Sequence, residues 1–299
     1  MEKSVIVARG SELRSEIITN EREKILTKEI LKHFDRLHSL PEEFDRELEI
    51  ELLKNELKNL EKPKELHFES GIVTFSPSSA SKCERELFFK AVGAEQDEMP
   101  FFPYQRRWVR NGSAVHKEVQ KDLLLAEKRL EDPAFRVVRL HDGSPAWEEN
   151  LKDVRQFEHN GVRFQLFGKM DGILEYRDGS RIGFEYKTKS TTISAVGNYK
   201  LKDAQDDHKQ QAIAYSLLFG IDEFLIVYES LAKDGWTKGE QARADMRAFY
   251  YRPTETEKED LLDKFARVAK KVENKELPVA EREKCLFCPF KTICSKYGD

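Results

Sequence analysis

The chain has 299 residues, 39% hydrophobic and 35% charged, enough to build one sizeable hydrophobic core and an additional segment. No apolar run approaches the roughly 18 residues that a membrane-spanning helix needs, so we expect a soluble protein without a membrane partner. The formal net charge of −4 argues against non-specific coating of nucleic acid, which needs many phosphate contacts. Any nucleic-acid contact must therefore use local basic patches.

Residues 1–64 form a charged, helix-prone segment, which we predict to be a helical hairpin appended to the main domain. Apolar residues recur at helical spacing from Leu26 to Leu37, and the capping-box pattern Ser39-Leu-Pro-Glu42 predicts the start of a second helix. A packing or solvated appendage is the simpler interpretation, because amphipathic helices usually bury their apolar stripe. A dedicated arm for binding a partner is the alternative.

Residues 65–299 are predicted to form the main domain, which begins with helices. A helix start at Ser76-Pro-Ser-Ser79 places Cys83 in a first helix. Apolar spacing then predicts a second helix from Gly112 to Leu130, with His116 at its edge.

Alternating apolar and polar residues follow these helices, and this period is typical of strands. We predict strands at 154–158, 162–176 and 181–187, joined by turns at Asn160-Gly161 and Asp178-Gly179 into an antiparallel meander. The remaining expected elements are a helix at 203–219, a buried strand at 224–228, a strand at 242–252 and a helix ending near residue 274. Together these elements predict a mixed α/β (α+β) fold.

The third strand of this meander carries the residues that suggest chemistry. Its period of two places Glu185 and Lys187 on one face, and Asp171 on the preceding strand can approach Glu185. Two carboxylates aimed at one point can bind Mg²⁺ or Mn²⁺, and a nearby lysine can offset charge that develops on a phosphoryl group. By spacing alone, a surface ladder of salt bridges is the alternative.

Three further polar residues could converge on the same cleft. His116 is one, and the others are Gln211 and Tyr215, which lie one turn apart on a predicted helix. Taken singly, His116 is more often a solvated helix residue and Tyr215 a core aromatic.

The four cysteines of the chain suggest a metal centre that joins the two ends of the main domain. Cys285, Cys288 and Cys294 form a C-x₂-C-x₅-C pattern near the C-terminus, and Cys83 lies far upstream. Zinc and an iron–sulfur cluster both accept four thiolates, and a disulfide framework is a third option. Because the N-terminus does not resemble a signal peptide, we expect a reduced, cytoplasmic location.

A basic and aromatic segment precedes the His116 helix. It contains Arg106, Arg107, Trp108 and Arg110, a combination suited to phosphate contact and base stacking. A surface loop without a ligand is the alternative. For a nucleic-acid ligand, a narrow cleft with local charge suits one flexible strand better than a rigid duplex.

The ordered motifs of the chain resemble the PD-(D/E)XK nucleases of the RecB exonuclease branch, in particular the Cas4-like group. The resemblance covers the chain from about residue 70 to its end, and it rests on six motifs: Ser76-Pro-Ser-Ser-x₃-Cys83-x-Arg85, Gly112-x₃-His116, Asp171-Gly172, Glu185-Tyr-Lys187, Gln211-x₃-Tyr215 and Cys285-x₂-Cys288-x₅-Cys294. It implies a restriction-endonuclease-like core with a mixed sheet flanked by helices. Met170 stands where the family name has proline.

The resemblance also implies a cofactor set and residue roles. A [4Fe–4S] cluster would be bound by the four cysteines, and Mg²⁺ or Mn²⁺ by His116, Asp171, Glu185 and the main-chain carbonyl of Tyr186. Lys187 would orient or activate the attacking water, while Gln211 and Tyr215 would lie beside the active site, where they could contact the DNA strand.

These features predict a metal-dependent DNA exonuclease that acts on single-stranded DNA in repair, recombination or CRISPR adaptation. The chain contains no G-x₄-G-K-[ST] loop, so it would act alone or with a helicase, recombination or adaptation protein, and it could form oligomers. One alternative is a catalytically silent DNA-binding or assembly protein. A zinc-stapled RNA or nucleotide hydrolase is another.

Overall fold

The computed structural model describes residues 2–98, 100 and 102–298, with side chains at residue 17 and from residue 19 onward. The helices are α1 (Glu2–His38), α2 (Arg46–Glu61), α3 (Glu84–Ala91), α4 (Pro103–Arg129), α5 (Asp206–Phe219), α6 (Glu255–Asn274) and α7 (Lys291–Ser295). The strands are β1 (Val73–Phe75), β2 (Phe135–Val137), β3 (Lys152–His159), β4 (Val162–Lys169), β5 (Gly172–Tyr176), β6 (Arg181–Lys189), β7 (Phe224–Ser230) and β8 (Met246–Tyr251).

The strands form two sheets, and the larger one carries the residues of the predicted site. Its order is β2-β5-β6-β7-β8, and β6 and β7 are its one parallel pair within the described residues. A parallel pair needs a crossover, and α5 provides it. The smaller sheet has the order β1-β4-β3. Mixed sheets flanked by helices confirm the predicted fold class.

The predicted three-stranded meander is wrong in one respect that matters for the site. Both predicted turns are present, with left-handed backbone at Asn160, Gly161 and Gly179. The predicted strand 162–176, however, ends at Lys169 and resumes at Gly172, so β4 and β5 belong to different sheets. Asp171 lies in this break, and its Oδ2 accepts a hydrogen bond from the backbone N–H of Tyr186 at 2.8 Å.

The N-terminal helices share a hydrophobic core with the larger sheet. Leu26, Ile30 and Phe34 of α1 are buried in one cluster with Phe184 and Tyr186 of β6. The predicted boundary at residue 64 thus separates two segments that pack around the same core, and an independent appendage would need a core of its own. This packing places α1 behind the strand that carries Glu185.

The start of α2 also differs from the prediction. Ser39 lies in a turn, and the helix begins after Asp45, whose side chain accepts a hydrogen bond from the backbone N–H of Leu48 at 2.9 Å. An aspartate at this position satisfies one of the unpaired N–H groups of the first turn, as the predicted serine would have done.

A second core lies between the smaller sheet and helices α3, α5 and α6. The rings of Phe75 and Phe265 stack at 4.3 Å, and Phe164 of β4 packs edge-on against both. Cys288 and Phe290 of the C-terminal segment are buried in the same cluster. The C-terminal segment is therefore anchored to the body of the protein by apolar packing.

None of the helices in the described ranges is long and apolar enough to cross a membrane.

Candidate active site

Three residues predicted for catalysis meet where β5 begins and β6 continues beyond it. Lys187 Nζ lies 2.5 Å from Glu185 Oε1, so the predicted shared face of these two residues is present. The Asp171 carboxylate accepts a hydrogen bond from the N–H of Tyr186, the residue between Glu185 and Lys187 in the sequence. Asp171, from the break between β4 and β5, therefore meets Glu185 and Lys187 of β6 at one point of the larger sheet.

Helix α4 lies over this point and contributes His116. The Nδ1 atom of His116 lies 3.7 Å from Asp171 Oδ2, and its ring packs edge-on against Tyr186 at 5.9 Å. One turn later, the Gln120 side-chain amide donates to the Asp171 carbonyl at 3.3 Å. The helix therefore contacts both the side chain and the backbone of Asp171, which fixes His116 beside it.

Glu148 is a site residue that the sequence analysis missed. Ligand atoms of His116, Glu148 and Asp171 all lie within 4.8 Å of one another, and in the described part of the chain no other group of three or more histidine, cysteine or acidic residues does so. Glu148 lies in an irregular segment between β2 and β3, with a left-handed φ of 36°. No motif or periodicity marks such a position, so only tertiary contacts identify it.

Burial and mutual repulsion make the charged forms of the site's carboxylates unfavourable. Burial, followed by the charge of Asp171, raises the pKa of Glu185 to about 8. Burial acts to lower the pKa of Lys187, but the charges of Glu185 and Asp171 outweigh it and raise the pKa overall. The pKa of Glu148 is also raised, by burial and then by Asp171. A bound cation would offset this repulsion between carboxylates.

Gln211 and Tyr215 form a hydrogen-bonded chain that ends on Lys187. Lys187 Nζ donates to Gln211 Oε1 at 3.2 Å, Gln211 Nε2 donates to the Tyr215 hydroxyl at 2.8 Å, and that hydroxyl donates to the Lys169 carbonyl at 2.8 Å. Tyr215 is only 4% exposed, and the DNA contact suggested for it stays a prediction. Its position holds Gln211, and through it the lysine.

The cysteines are brought to one region of the protein but not into a preformed cage. In the ranges that the structure covers, no three cysteine sulfurs lie within 4.8 Å of one another. Four thiolates bound about 2.3 Å from one zinc ion would be about 3.8 Å apart. Burial, and then the charges of Glu86, Cys83 and Cys285, raise the pKa of the Cys288 thiol to about 11. Cys83 and Cys285 therefore lie close enough to influence Cys288.

Arg85 attaches the C-terminal segment to α3. The guanidinium donates to the Pro278 carbonyl and to the Gly298 carbonyl, each at 2.7 Å, and to Cys294 Sγ at 3.5 Å. Arg85 is buried, and Cys83 caps the start of α3 by accepting a hydrogen bond from the Glu86 N–H at 3.3 Å. The hydrogen bonds of Arg85, which involve no metal, hold the C-terminal segment beside α3, and the metal centre predicted from the cysteines stays a prediction.

The basic and aromatic segment lies on a helix. Because α4 begins at Pro103 and not at Gly112, residues 106–110 occupy its first turns, and the loop alternative is wrong. Residues 102–111 are exposed apart from Gln105, which is half-buried. The rings of Tyr104 and Trp108 contact each other edge-on at 5.4 Å.

Comparison with known proteins identifies related sequences and folds. A family model described as the PD-(D/E)XK nuclease superfamily matches residues 29–295. The solved structure titled "Crystal structure of SSO0001" is similar with a TM-score of 0.41 and 16% identity, covering 81% of this chain and 94% of that chain. An alkaline exonuclease (LHK-Exo) from Laribacter hongkongensis has a TM-score of 0.38 and 10% identity, covering 68% of this chain and 89% of that chain. The structure of LHK-Exo in complex with dAMP has a TM-score of 0.40 and 10% identity, and the match covers 69% of this chain and 89% of that chain. No curated protein matches the chain.

Proposed function

The chain belongs to the PD-(D/E)XK nuclease superfamily, and we propose that it is a metal-dependent exonuclease that acts on single-stranded DNA. Family membership supports a nuclease that takes DNA and uses divalent metal ions. One observation carries the proposal for this chain: the ammonium of Lys187 lies 2.5 Å from Glu185, while Asp171 is held to the intervening residue by a hydrogen bond.

We assign the divalent cation to His116, Asp171, Glu185 and the main-chain carbonyl of Tyr186. The β5–β6 ladder ends at the pair Gly172 and Phe184, and beyond it no strand of the described residues pairs with β6 on that side. The N–H and C=O groups of one strand residue point to the same side. Since the Tyr186 N–H meets Asp171, its carbonyl also faces Asp171 and is available as a ligand.

A bound Mg²⁺ or Mn²⁺ would polarise the phosphoryl group and lower the pKa of a water molecule. The role of Lys187 follows from its position: its ammonium can orient the attacking water and stabilise negative charge on the phosphoryl oxygens. Gln211 limits the rotation of Lys187, and Tyr215 limits that of Gln211. In this proposal Gln211 and Tyr215 are positioning residues.

The first turns of α4 support single-stranded DNA as the substrate. Trp108 is 50% exposed and Tyr104 is 47% exposed, so about half of each side chain is accessible for contact with bases. Arg107 and Arg110 on the same turns are exposed and can bind phosphates. The nine residues from 103 to 111 rise about 13 Å along the helix, which then continues directly to His116. A duplex would hide its base faces from these rings.

The decisive experiment is degradation of end-labelled single-stranded DNA with Mn²⁺ by the full chain and by Lys187→Ala. We expect a loss of about 10²-fold or more in kcat for Lys187→Ala, since removing one charge-stabilising group costs that much in related chemistry. Lys270→Ala, which removes an exposed lysine from α6, is the matched control and should retain activity. Equal degradation by wild type and Lys187→Ala would refute the proposed mechanism. Binding of DNA without cleavage by the wild type would favour a silent DNA-binding protein.

A [4Fe–4S] cluster bound by Cys83, Cys285, Cys288 and Cys294 is the cofactor part of the proposal, and so is a place in the Cas4-like group. Its support is the cysteine pattern and the attachment of the C-terminal segment to α3 by Arg85. Protein purified without oxygen should be brown and contain four iron atoms and four sulfides, and Cys288→Ser should lose them. Zinc in place of iron would overturn this part without affecting the nuclease.

The biological setting belongs to the same proposal and is supported by the resemblance alone. It comprises a cytoplasmic role in DNA repair, recombination or CRISPR adaptation, together with a partner protein from one of these processes.

A further inference from the structure

We infer that Glu148 is an additional side-chain ligand of the divalent cation, in a group with His116 and Asp171. The inference deepens the proposed function and rests on it. Within the described residues, these three supply ligand atoms that all lie within 4.8 Å of one another. Ligands about 2.1 Å from one Mg²⁺ or Mn²⁺ ion are at most about 4.2 Å apart, so a small contraction brings the group to binding distance.

The backbone holds Glu148 against Asp171 from both sides. The Glu148 N–H donates to the Met170 carbonyl at 2.7 Å, and the Ile173 N–H donates to the Ala146 carbonyl at 3.0 Å. Met170 precedes Asp171 and Ile173 follows it by two residues, so these two hydrogen bonds bracket Asp171. The segment that carries Glu148 therefore cannot move away from Asp171 without breaking them.

The charges around Glu148 distinguish it from its neighbour in sequence. Glu149 forms ion pairs with Lys169 at 2.7 Å and with Lys152 at 2.9 Å. Glu148, although half-buried, has no side-chain hydrogen bond or ion pair with any described residue. Lys169 and Lys152 thus direct their ion pairs to Glu149. The Glu148 carboxylate is left facing Asp171 and His116.

A second observation, on Glu185, also points to a cation in this region. Glu185 is 2% exposed, and its Oε2 atom has no hydrogen-bond partner among the described residues. Leaving a buried carboxylate oxygen unpaired costs free energy, and a cation beside Asp171 would supply the missing partner. Glu185 lies outside the close group of three, and the inference adds Glu148 to the ligands assigned above.

The test measures Mn²⁺ binding to the full chain by calorimetry in the absence of DNA, so its readout is independent of cleavage. Outer-shell residues of metal sites typically contribute 10–100-fold to affinity, and a direct ligand should contribute at least as much. We therefore expect Glu148→Gln to weaken Mn²⁺ binding about tenfold or more. Glu118→Gln removes one exposed acidic charge from α4, and this control should change the affinity less than about twofold.

A second variant separates direct ligation from the general effect of charge. Glu148→Asp keeps the charge but shortens the side chain, so direct ligation predicts weaker binding, whereas a remote electrostatic effect predicts wild-type affinity. Unchanged Mn²⁺ affinity in Glu148→Gln, or wild-type affinity in Glu148→Asp, would overturn the inference. A thermal melt without metal identifies any variant that fails to fold, and then Glu148→Asp decides the question.

The inference and the proposed function can fail separately. Unchanged affinity in Glu148→Gln, together with loss of cleavage in Lys187→Ala, would refute the inference and leave the nuclease in place. Mn²⁺ bound through Glu148 to a wild-type chain that does not cut DNA would keep the site and refute the nuclease.

Discussion

Replacing Phe34 by alanine tests whether the N-terminal helix belongs to the catalytic body. Phe34 is 1% exposed, and its ring lies 6.4 Å from each of the rings of Phe184 and Tyr186, which flank Glu185 on β6. Truncating a fully buried phenylalanine costs about 3–5 kcal/mol, through lost transfer free energy and the cavity that remains. For a chain of 299 residues, this loss lowers the melting temperature by about 5–8 °C.

The assay is differential scanning calorimetry of wild type and variant, with cleavage of single-stranded DNA measured in parallel. Phe44→Ala is the control, because Phe44 is 72% exposed and its loss should shift the melting temperature by less than about 1 °C. We expect Phe34→Ala to shift the whole transition and to lower kcat, because β6 loses support behind Glu185. A separate early transition, with the main transition and the activity unchanged, would show that α1 folds as an independent appendage and would refute the reasoning.

Three other perturbations test the packing and electrostatics. Burial, and then the charge of Arg36, lowers the pKa of His33 to about 4. As the pH falls, His33 is protonated in the unfolded chain before it is protonated in the folded one. Up to about 3 kcal/mol of the free energy of unfolding that is present above pH 6.5 should therefore be lost by pH 4. Urea titrations at several pH values measure this loss, and His33→Leu should not show it. Tyr215→Phe should lower kcat about tenfold at unchanged affinity for DNA in binding assays, because Gln211 loses its anchor. Gly168→Ala should cost about 1–3 kcal/mol in thermal melts, since its Cβ would lie 2.7 Å from a proline ring, whereas Gly235→Ala should be neutral because nothing lies within 4 Å.

Much of the fold was predictable because local sequence encodes it. The capping box of Thr254 and Glu257 begins α6, and Gly220 ends α5 in a left-handed conformation. Alternating residues place Glu185 and Lys187 together, and the turn at Asp178-Gly179 forms as predicted. In each case the determining residues lie within a few positions of one another, and their hydrogen bonds or side-chain period act over the same short range.

The break in the strand at Asp171 is missed by the prediction of one strand over residues 162–176. The dipeptide Asp171-Gly172 is a turn signal of the same kind as Asp178-Gly179, but it lies within an otherwise strand-like run. Which backbone group the Asp171 carboxylate meets at this break is decided by tertiary structure, and it accepts a hydrogen bond from the Tyr186 N–H of β6. A pattern along one strand contains no information about which neighbouring backbone group will be within reach.

By itself, then, the sequence determined most of the helices and the longer strands to within several residues, and the residues Asp171, Glu185, Lys187 and His116 as a candidate site. Tertiary structure alone decided that α1 supports β6, that Tyr215 is an anchor for Gln211, and that Glu148 faces Asp171. Periodicity and capping act between near neighbours in the chain, whereas these three contacts join residues that become neighbours only when helix and sheet faces pack.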